Sequence, residues 1–567
     1  MLKKLLPILV SSVALGAFAS GAAAQPAQRE LKQLDDPAAR ELTEPTLYEF
    51  LLGEIALQRG DYALAAKTYL DLARRTRDAR VARRAVEVAN QGRLNDLALE
   101  AAKTWLDIEP ESSTALQVLA AMLIASKKVE EAQPYLEKLL ATPGVNLEAG
   151  YVQLNRMLSA NPDKAANLRV VRALATKNPQ LAQSHFAVAQ AALAANDERA
   201  ALAEVRRAAE LRPQWEAPAL LEAQILQKRS PAEAAKRLGQ FVEKNPESRE
   251  ARLNYARVLV LDKRLPEARK QFEALLAANP GNSDVMYAVG LLAFQLKDYP
   301  VAEDSMKRLL ASDYRDPDAA RFLLGQIAEE QKQWPRAIEW YEAIKDGEHA
   351  MPARMRTAAA MAKDGKLDAA RDYLHRVSAD NPDQEVQLTV AEAQLLRDAN
   401  RNREAFDLLG AALGRQPEQP ELLYDYAPTA EKLEQYDTLE SNLRKLIAVR
   451  PDHAHAYNAL GYSFAERNLR LPEARKLIER ALELSPEDSF IIDSMGWVQY
   501  REGDLKGAAA TLRRAYDGRP DAEIGAHLGE VLWMLGERSE ANRVWQEALK
   551  TAPDNETVLK TIKRLRK

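Results

Sequence analysis

The chain of 567 residues contains no cysteine. That excludes disulfides, thiolate metal sites, a cysteine nucleophile and a lipid-modified N-terminal cysteine. It also lacks a glycine-rich phosphate loop, an H-E-x-x-H pattern and a G-x-S-x-G pattern, so no familiar phosphate, metalloprotease or hydrolase motif is present. Histidine is scarce, at six. His453 and His455 form an H-x-H pair, but two positions apart on a helix point to different sides. No metal and no cofactor is expected from them. Excess positive charge is missing too: 79 Lys and Arg stand against 83 Asp and Glu, a net −4. A nucleic-acid partner needs a basic face, so none is expected.

Long apolar runs are confined to the N-terminus. Lys3 and Lys4 precede a short apolar stretch, Leu5 to Phe18, and Ala22-Ala23-Ala24 supplies small residues that suit a peptidase. Residues 1–24 therefore read as a signal peptide cleaved before Gln25. Its removal takes the charge to −4 − 2 = −6. The stretch is short for a bilayer span, and no later segment is apolar enough for one. An exported, periplasmic protein without a direct membrane span is expected. Residues 25–45, with Asp35-Asp36-Pro37 and Glu44-Pro45, read as a polar linker or loose helix.

What is abundant is Ala, Leu, Glu, Arg and Lys, which favour helix. They carry a ladder: an Ala, an apolar residue four later and a Pro twelve later. Examples are Ala201/Val205/Pro213, Ala268/Phe272/Pro280, Ala474/Ile478/Pro486, Ala508/Leu512/Pro520 and Ala541/Trp545/Pro553. Weaker rungs at Ala65, Ala132, Ala165, Ala302 and Ala337 lack the Pro, and Leu439 takes the Ala place before Pro451. From 201 to 541 each step is 33 to 35 residues, the tetratricopeptide period of about 34.

The ladder has a physical reading. Each unit is two antiparallel helices. The first carries a small residue where the second crosses closely, as at Gly53, Gly290, Gly325, Gly461, Gly496 and Gly529. The Pro ends one unit and starts the next. A single pair cannot bury its apolar stripe, but stacked neighbours can. The expected fold is an all-α tetratricopeptide superhelical solenoid of about 15 helix pairs. N-terminal repeats span 46–180, the last of them irregular, and regular repeats span 181–553. Residues 554–567 form a basic capping helix with Val558, Leu559, Ile562 and Leu565 on one face.

Function on such a scaffold is binding rather than catalysis. With the close-crossing Gly as position eight of the first helix, positions five, nine and twelve face the groove. These are Tyr287 and Leu291; Phe322 and Gln326; Asn458 and Tyr462; Asp493, Trp497 and Tyr500; Ala526, Glu530 and Trp533. Arg501 lies at the groove edge. Aromatic residues and Arg dominate interface energetics. His527 reads as a packed or groove histidine, not a base.

Three runs are more specific than the generic repeat: Tyr457-Asn-Ala-Leu-Gly-Tyr462, Asp493-Ser-Met-Gly-Trp-Val-Gln-Tyr-Arg501 and His527-Leu-Gly-Glu-Val-Leu-Trp533. With the leader, length and repeat count they resemble proteobacterial periplasmic tetratricopeptide proteins. Described members of that family are outer-membrane lipoproteins that bind and activate a carboxyl-terminal processing serine protease. The resemblance implies an adaptor that joins the protease to peptidoglycan hydrolases in cell-wall remodelling. The absence of cysteine departs from the family's lipid anchor, leaving a free periplasmic chain or peripheral outer-membrane association through a partner. The alternative is a scaffold for outer-membrane or exopolysaccharide assembly and export.

Overall fold

The computed structural model describes residues 44–159 and 161–566. The expected leader and nearly all of the 25–45 linker lie outside them; Glu44 and Pro45 already belong to the helix Glu44–Gln58. The described residues form 31 α-helices and no strand. In chain order these are fifteen pairs and one last helix. Two compact units are present, one ending at Asp298 and the other beginning at Tyr299.

Short polar residues start the helices. Asp488 accepts hydrogen bonds from the N–H groups of Phe490 and Ile491, Asp504 from Gly507 and Asp521 from Glu523. Each satisfies donors that the first turn leaves free. Left-handed residues make the turns within pairs. Gly60, Gly365, Gly503 and Gly536 take positive φ, but so do Lys263, Asn400, Glu434 and Asn468 at equivalent turns. The turn geometry is therefore imposed by packing even where glycine is missing.

The rungs explain the packing. Ala65, Ala201, Ala268, Ala337, Ala474, Ala508 and Ala541 are all fully buried. The close-crossing glycines face the large residue four after the rung. A Cβ added at Gly496 would stand 2.6 Å from the Leu512 side chain, and one at Gly461 2.7 Å from Ile478 and 3.0 Å from the Ala474 carbonyl oxygen. At Gly325 and Gly529 it would meet the rings of Tyr341 and Trp545. The small residue thus admits a bulky one, and the rung Ala lets the backbones approach.

One rung is corrected. Ala165 is exposed, and its neighbour Ala166 is buried. The irregular unit, Leu147–Ser159 and Lys164–Ala175, packs more on flanking helices than on itself. Buried Asn161 holds its turn by donating to Asn167 Oδ1 at 2.7 Å, while Asn167 donates to the Leu158 carbonyl at 2.8 Å. A polar turn has replaced the glycine turn, so the phase read from the spacing is one residue out.

The last seven helices of the second unit carry the site. They are α1 (Ala454–Glu466), α2 (Leu471–Leu484), α3 (Ser489–Arg501), α4 (Leu505–Gly518), α5 (Ala522–Met534), α6 (Arg538–Thr551) and α7 (Glu556–Leu565). Odd-numbered helices to α5 are first helices of pairs, and even-numbered ones are second helices. α7 caps the stack through Val558, Ile562 and Leu565, which join the core of α5 and α6. Leu559, expected on that buried face, is exposed instead, because it lies one position beyond the inward stripe.

Second helices and their adjoining turns are tied across repeats by ion pairs: Arg444–Glu473 at 2.6 Å, Arg470–Glu440 at 2.7 Å, Arg513–Glu540 at 2.5 Å, and Arg475 with Glu502 in the turn after α3. Each such exposed pair contributes about 0–1 kcal/mol.

Candidate protein-binding face

First helices α1, α3 and α5 lie side by side, and their facing side chains form one continuous network. His527 of α5 is at its centre. Its Nδ1 lies 2.9 Å from Asp493 Oδ2 on α3, and its Nε2 lies 3.4 Å from the Tyr462 hydroxyl on α1. The Trp497 ring stacks on the imidazole at 4.2 Å and 25°. Trp497 Nε1 donates to Glu466 Oε2 at 2.7 Å, tying α3 to α1. Tyr500 donates to Glu530 Oε1 at 3.1 Å, and Arg564 of α7 pairs with the other oxygen of Glu530. Arg501 donates to the carbonyls of Ala465 and Glu466 at 3.0 and 2.8 Å, satisfying the open C-terminus of α1.

The electrostatics follow from this crowding. Burial alone would disfavour a charged His527. The Asp493 carboxylate, with Glu466 and Glu530 beyond it, outweighs burial and raises the imidazole above its ordinary value. The Tyr462 hydroxyl is pushed far up by burial and then by Glu466, Asp493, Glu431 and Glu523. Glu431, at the end of the helix Pro420–Lys432, is raised first by burial and next by Glu466; Lys432 and Arg467 oppose the shift.

This arrangement corrects the open-groove expectation. Asp493, Trp497 and Glu530 are only 6%, 5% and 2% exposed, because His527 of the next first helix covers the first two and Arg564 of the cap meets the third. They hold the face together from beneath. Tyr462, Tyr500, Arg501 and Trp533 are half-buried. Trp533 packs on Trp545 at 5.7 Å, under the Arg538 guanidinium at 5.0 Å. Asn458 is half-buried, and its Oδ1 has no hydrogen-bond partner. Leu291, Gln326 and Ala526 are buried. Phe322 belongs to a separate cluster, stacked on His349 and tilted against Tyr341, both at 5.5 Å. Tyr287 lies half-buried in Ser283–Gln295 of the first unit.

Sequence reasoning missed Glu466, one position beyond the twelve used for the groove, and the reach of Arg564 from the cap to Glu530. It also missed the role of His453, which caps α1 by accepting from Ala456 N–H at 3.1 Å. Asp316, Glu348 and His349 bring one potential metal-ligand atom each within 4.8 Å of one another, but Glu348 is well exposed, with a side chain 75% accessible. No described helix is long and apolar enough to cross a membrane.

The stacked pairs and their ladder define a repeat protein. The tetratricopeptide-repeat profile matches residues 226–283, 287–352 and 428–489. The TPR repeat-containing protein PA4667 of Pseudomonas aeruginosa is 34% identical over 500 residues, covering 86% of this chain and 82% of that protein. The chain belongs to the tetratricopeptide-repeat proteins, in one family with that relative. The cellulose synthase operon protein C of Pseudomonas fluorescens is 26% identical over 340 residues, 56% of this chain and 26% of that protein. A thermophilic TPR protein of Thermus thermophilus is similar in structure with TM-score 0.29 and 25% identity, over 32% of this chain and 97% of that one.

Proposed function

We propose that the chain is a non-enzymatic periplasmic scaffold that binds other proteins through the first-helix face of its C-terminal repeats. The observation that carries this reading is the network around His527. Its polar and aromatic side chains orient one another across three repeats, and the hydroxyl beside the His527–Asp493 pair is that of Tyr462, which burial and the surrounding carboxylates hold protonated. Such a network fixes a surface rather than performing chemistry. The C-terminal runs resemble adaptors of carboxyl-terminal processing proteases, so the partner we propose is a periplasmic serine protease of that class. Peptidoglycan hydrolases would be presented to it as substrates. An array of repeats suits this role, because holding protease and substrate on one chain raises their effective concentration.

A second reading, a scaffold for exopolysaccharide or outer-membrane assembly, is favoured by the similarity to the cellulose synthase operon protein. Affinity capture from periplasmic extract separates the two. The adaptor reading expects a serine protease among the recovered proteins, and its proteolysis of cell-wall hydrolases to rise when the chain is added. Recovery of secretion components without a protease would favour the second reading and sink the first. Turnover of a substrate by the purified chain alone would sink both.

A further inference from the structure

The two ends of the array are finished differently. At the C-terminal end α7 closes the stack with Val558, Ile562 and Leu565 inward, and Lys560 and Lys563 are exposed. The first described helix, Glu44–Gln58, has no such cover. Its register is fixed by Gly53, which faces the Tyr69 ring as the later crossing glycines face their bulky partners. In α3 and α5 the residues five before, two before and two after that glycine are Ile491, Ser494 and Val498, and Ile524, His527 and Val531. All six are at most 8% exposed. Ile491 and Val498 share a core with residues of α2, and Ile524 and Val531 share cores with residues of α4. These are the positions on which the preceding repeat lies. In Glu44–Gln58 they are Tyr48, Leu51 and Ile55, which are 67%, 50% and 48% exposed, with Leu47 beside them at 45%. The repeat rule thus builds an apolar stacking face that nothing covers among the described residues. A contiguous exposed apolar patch marks an interaction site.

We propose that this end face docks the same face of a second copy of the chain, in a two-fold antiparallel, head-to-head dimer. The surface is separate from the network around His527 and does not depend on the scaffold reading. Charge complementarity chooses the occupant. Glu44 at the start of the helix and Arg59 just past its end are exposed and in no ion pair among the described residues. Antiparallel placement about Leu51 brings Glu44 of each copy to the end where Arg59 of the other lies, and Tyr48 to the level of Ile55; a parallel copy would set like charges together. The chain's own upstream residues are a poorer match. Gln25 to Thr43 carry seven charges and only three large apolar side chains, with Pro26 and Pro37 among them. A strip one helix wide falls short of the roughly 800 Å² per partner of a standard interface, so the association is micromolar rather than nanomolar.

Sedimentation equilibrium of the full chain, expressed with its own leader, tests this. The mass should double as concentration rises through the micromolar range and go no higher, because a two-fold contact closes on itself. Leu51→Glu sets two carboxylates against each other at the axis and should weaken association about a hundredfold. Arg59→Glu alone should weaken it severalfold at low salt, and Glu44→Arg combined with Arg59→Glu should restore it. The absence of cysteine allows a second readout. Leu51→Cys should cross-link to its copy on mild oxidation, whereas Leu559→Cys, exposed at the opposite end, should not. Unchanged circular dichroism in each variant secures the comparison. A parent that stays monomeric up to about 100 µM, its face filled by its own upstream residues or kept for a different protein, overturns the proposal. So does a dimer indifferent to Leu51→Glu, a double charge reversal that fails to restore association, or cross-linking of Leu559→Cys as fast as that of Leu51→Cys.

Discussion

The second helices and the first helices of the C-terminal repeats handle charge in opposite ways. On the second helices, Arg444, Arg470, Arg475 and Arg513 are matched to glutamates of neighbouring repeats in exposed pairs. On the first helices the His527–Asp493 pair is sunk beneath the surface, and the buried Glu530 carboxylate is met by Arg564 of the cap. The outer arrangement is replaceable, because solvent screens each pair. The inner one is costly to make and costly to break. A face that tolerates such a cost is the one to suspect of binding.

The largest test of this contrast is His527→Ala. It strands the Asp493 carboxylate in the interior and removes the ring on which Trp497 stacks, so denaturant unfolding should show a loss of about 3–5 kcal/mol. A loss below that of an exposed pair would erase the distinction between the faces. Gly496→Leu comes next, at about 1–3 kcal/mol, since its side chain would run into Leu512. That probes the crossing shared by both helix types, so partner binding should fall only in step with folding.

The third test is pH. His527 is raised in the folded chain, so its stabilisation is complete below the ordinary imidazole value of about 6.5 and is lost as pH climbs through the raised one. Glu431 is raised too and acts with the same sign at lower pH. The urea midpoint should drift downward from neutral to alkaline pH in the parent and flatten there in His527→Gln. Smallest is Arg444→Ala on the outer ladder, worth about 1 kcal/mol or less and shrinking further in salt. A large effect there would place the structural charge on the wrong face.

Much of the fold was legible because its determinants are local and periodic. The buried Ala rungs and close-crossing glycines stand at fixed spacing, and a Gly496 that must admit Leu512 is visible as a small residue sixteen before a large one. The irregular unit was not legible in detail, since the turn at Asn161-Pro162 is held by Asn161 and Asn167 side chains rather than by a glycine, and Ala165 was read for Ala166. The site was half legible. Position counting found Tyr462, Asp493, Trp497 and Glu530 on one set of helices. Burial was hidden from it, because what covers Trp497 is His527, thirty residues on, and what closes over Glu530 is Arg564 from the cap. Contacts between repeats decide which groove positions stay open, and such contacts have no period of their own.

The central claim is that this face holds a protein partner without performing chemistry. Calorimetric titration of the intact chain with a purified periplasmic carboxyl-terminal processing protease tests it most directly. The account predicts saturable binding that Tyr462→Ala weakens while leaving the melting profile in place. Absence of binding by the parent chain, or binding indifferent to every change on the first-helix face, would contradict it.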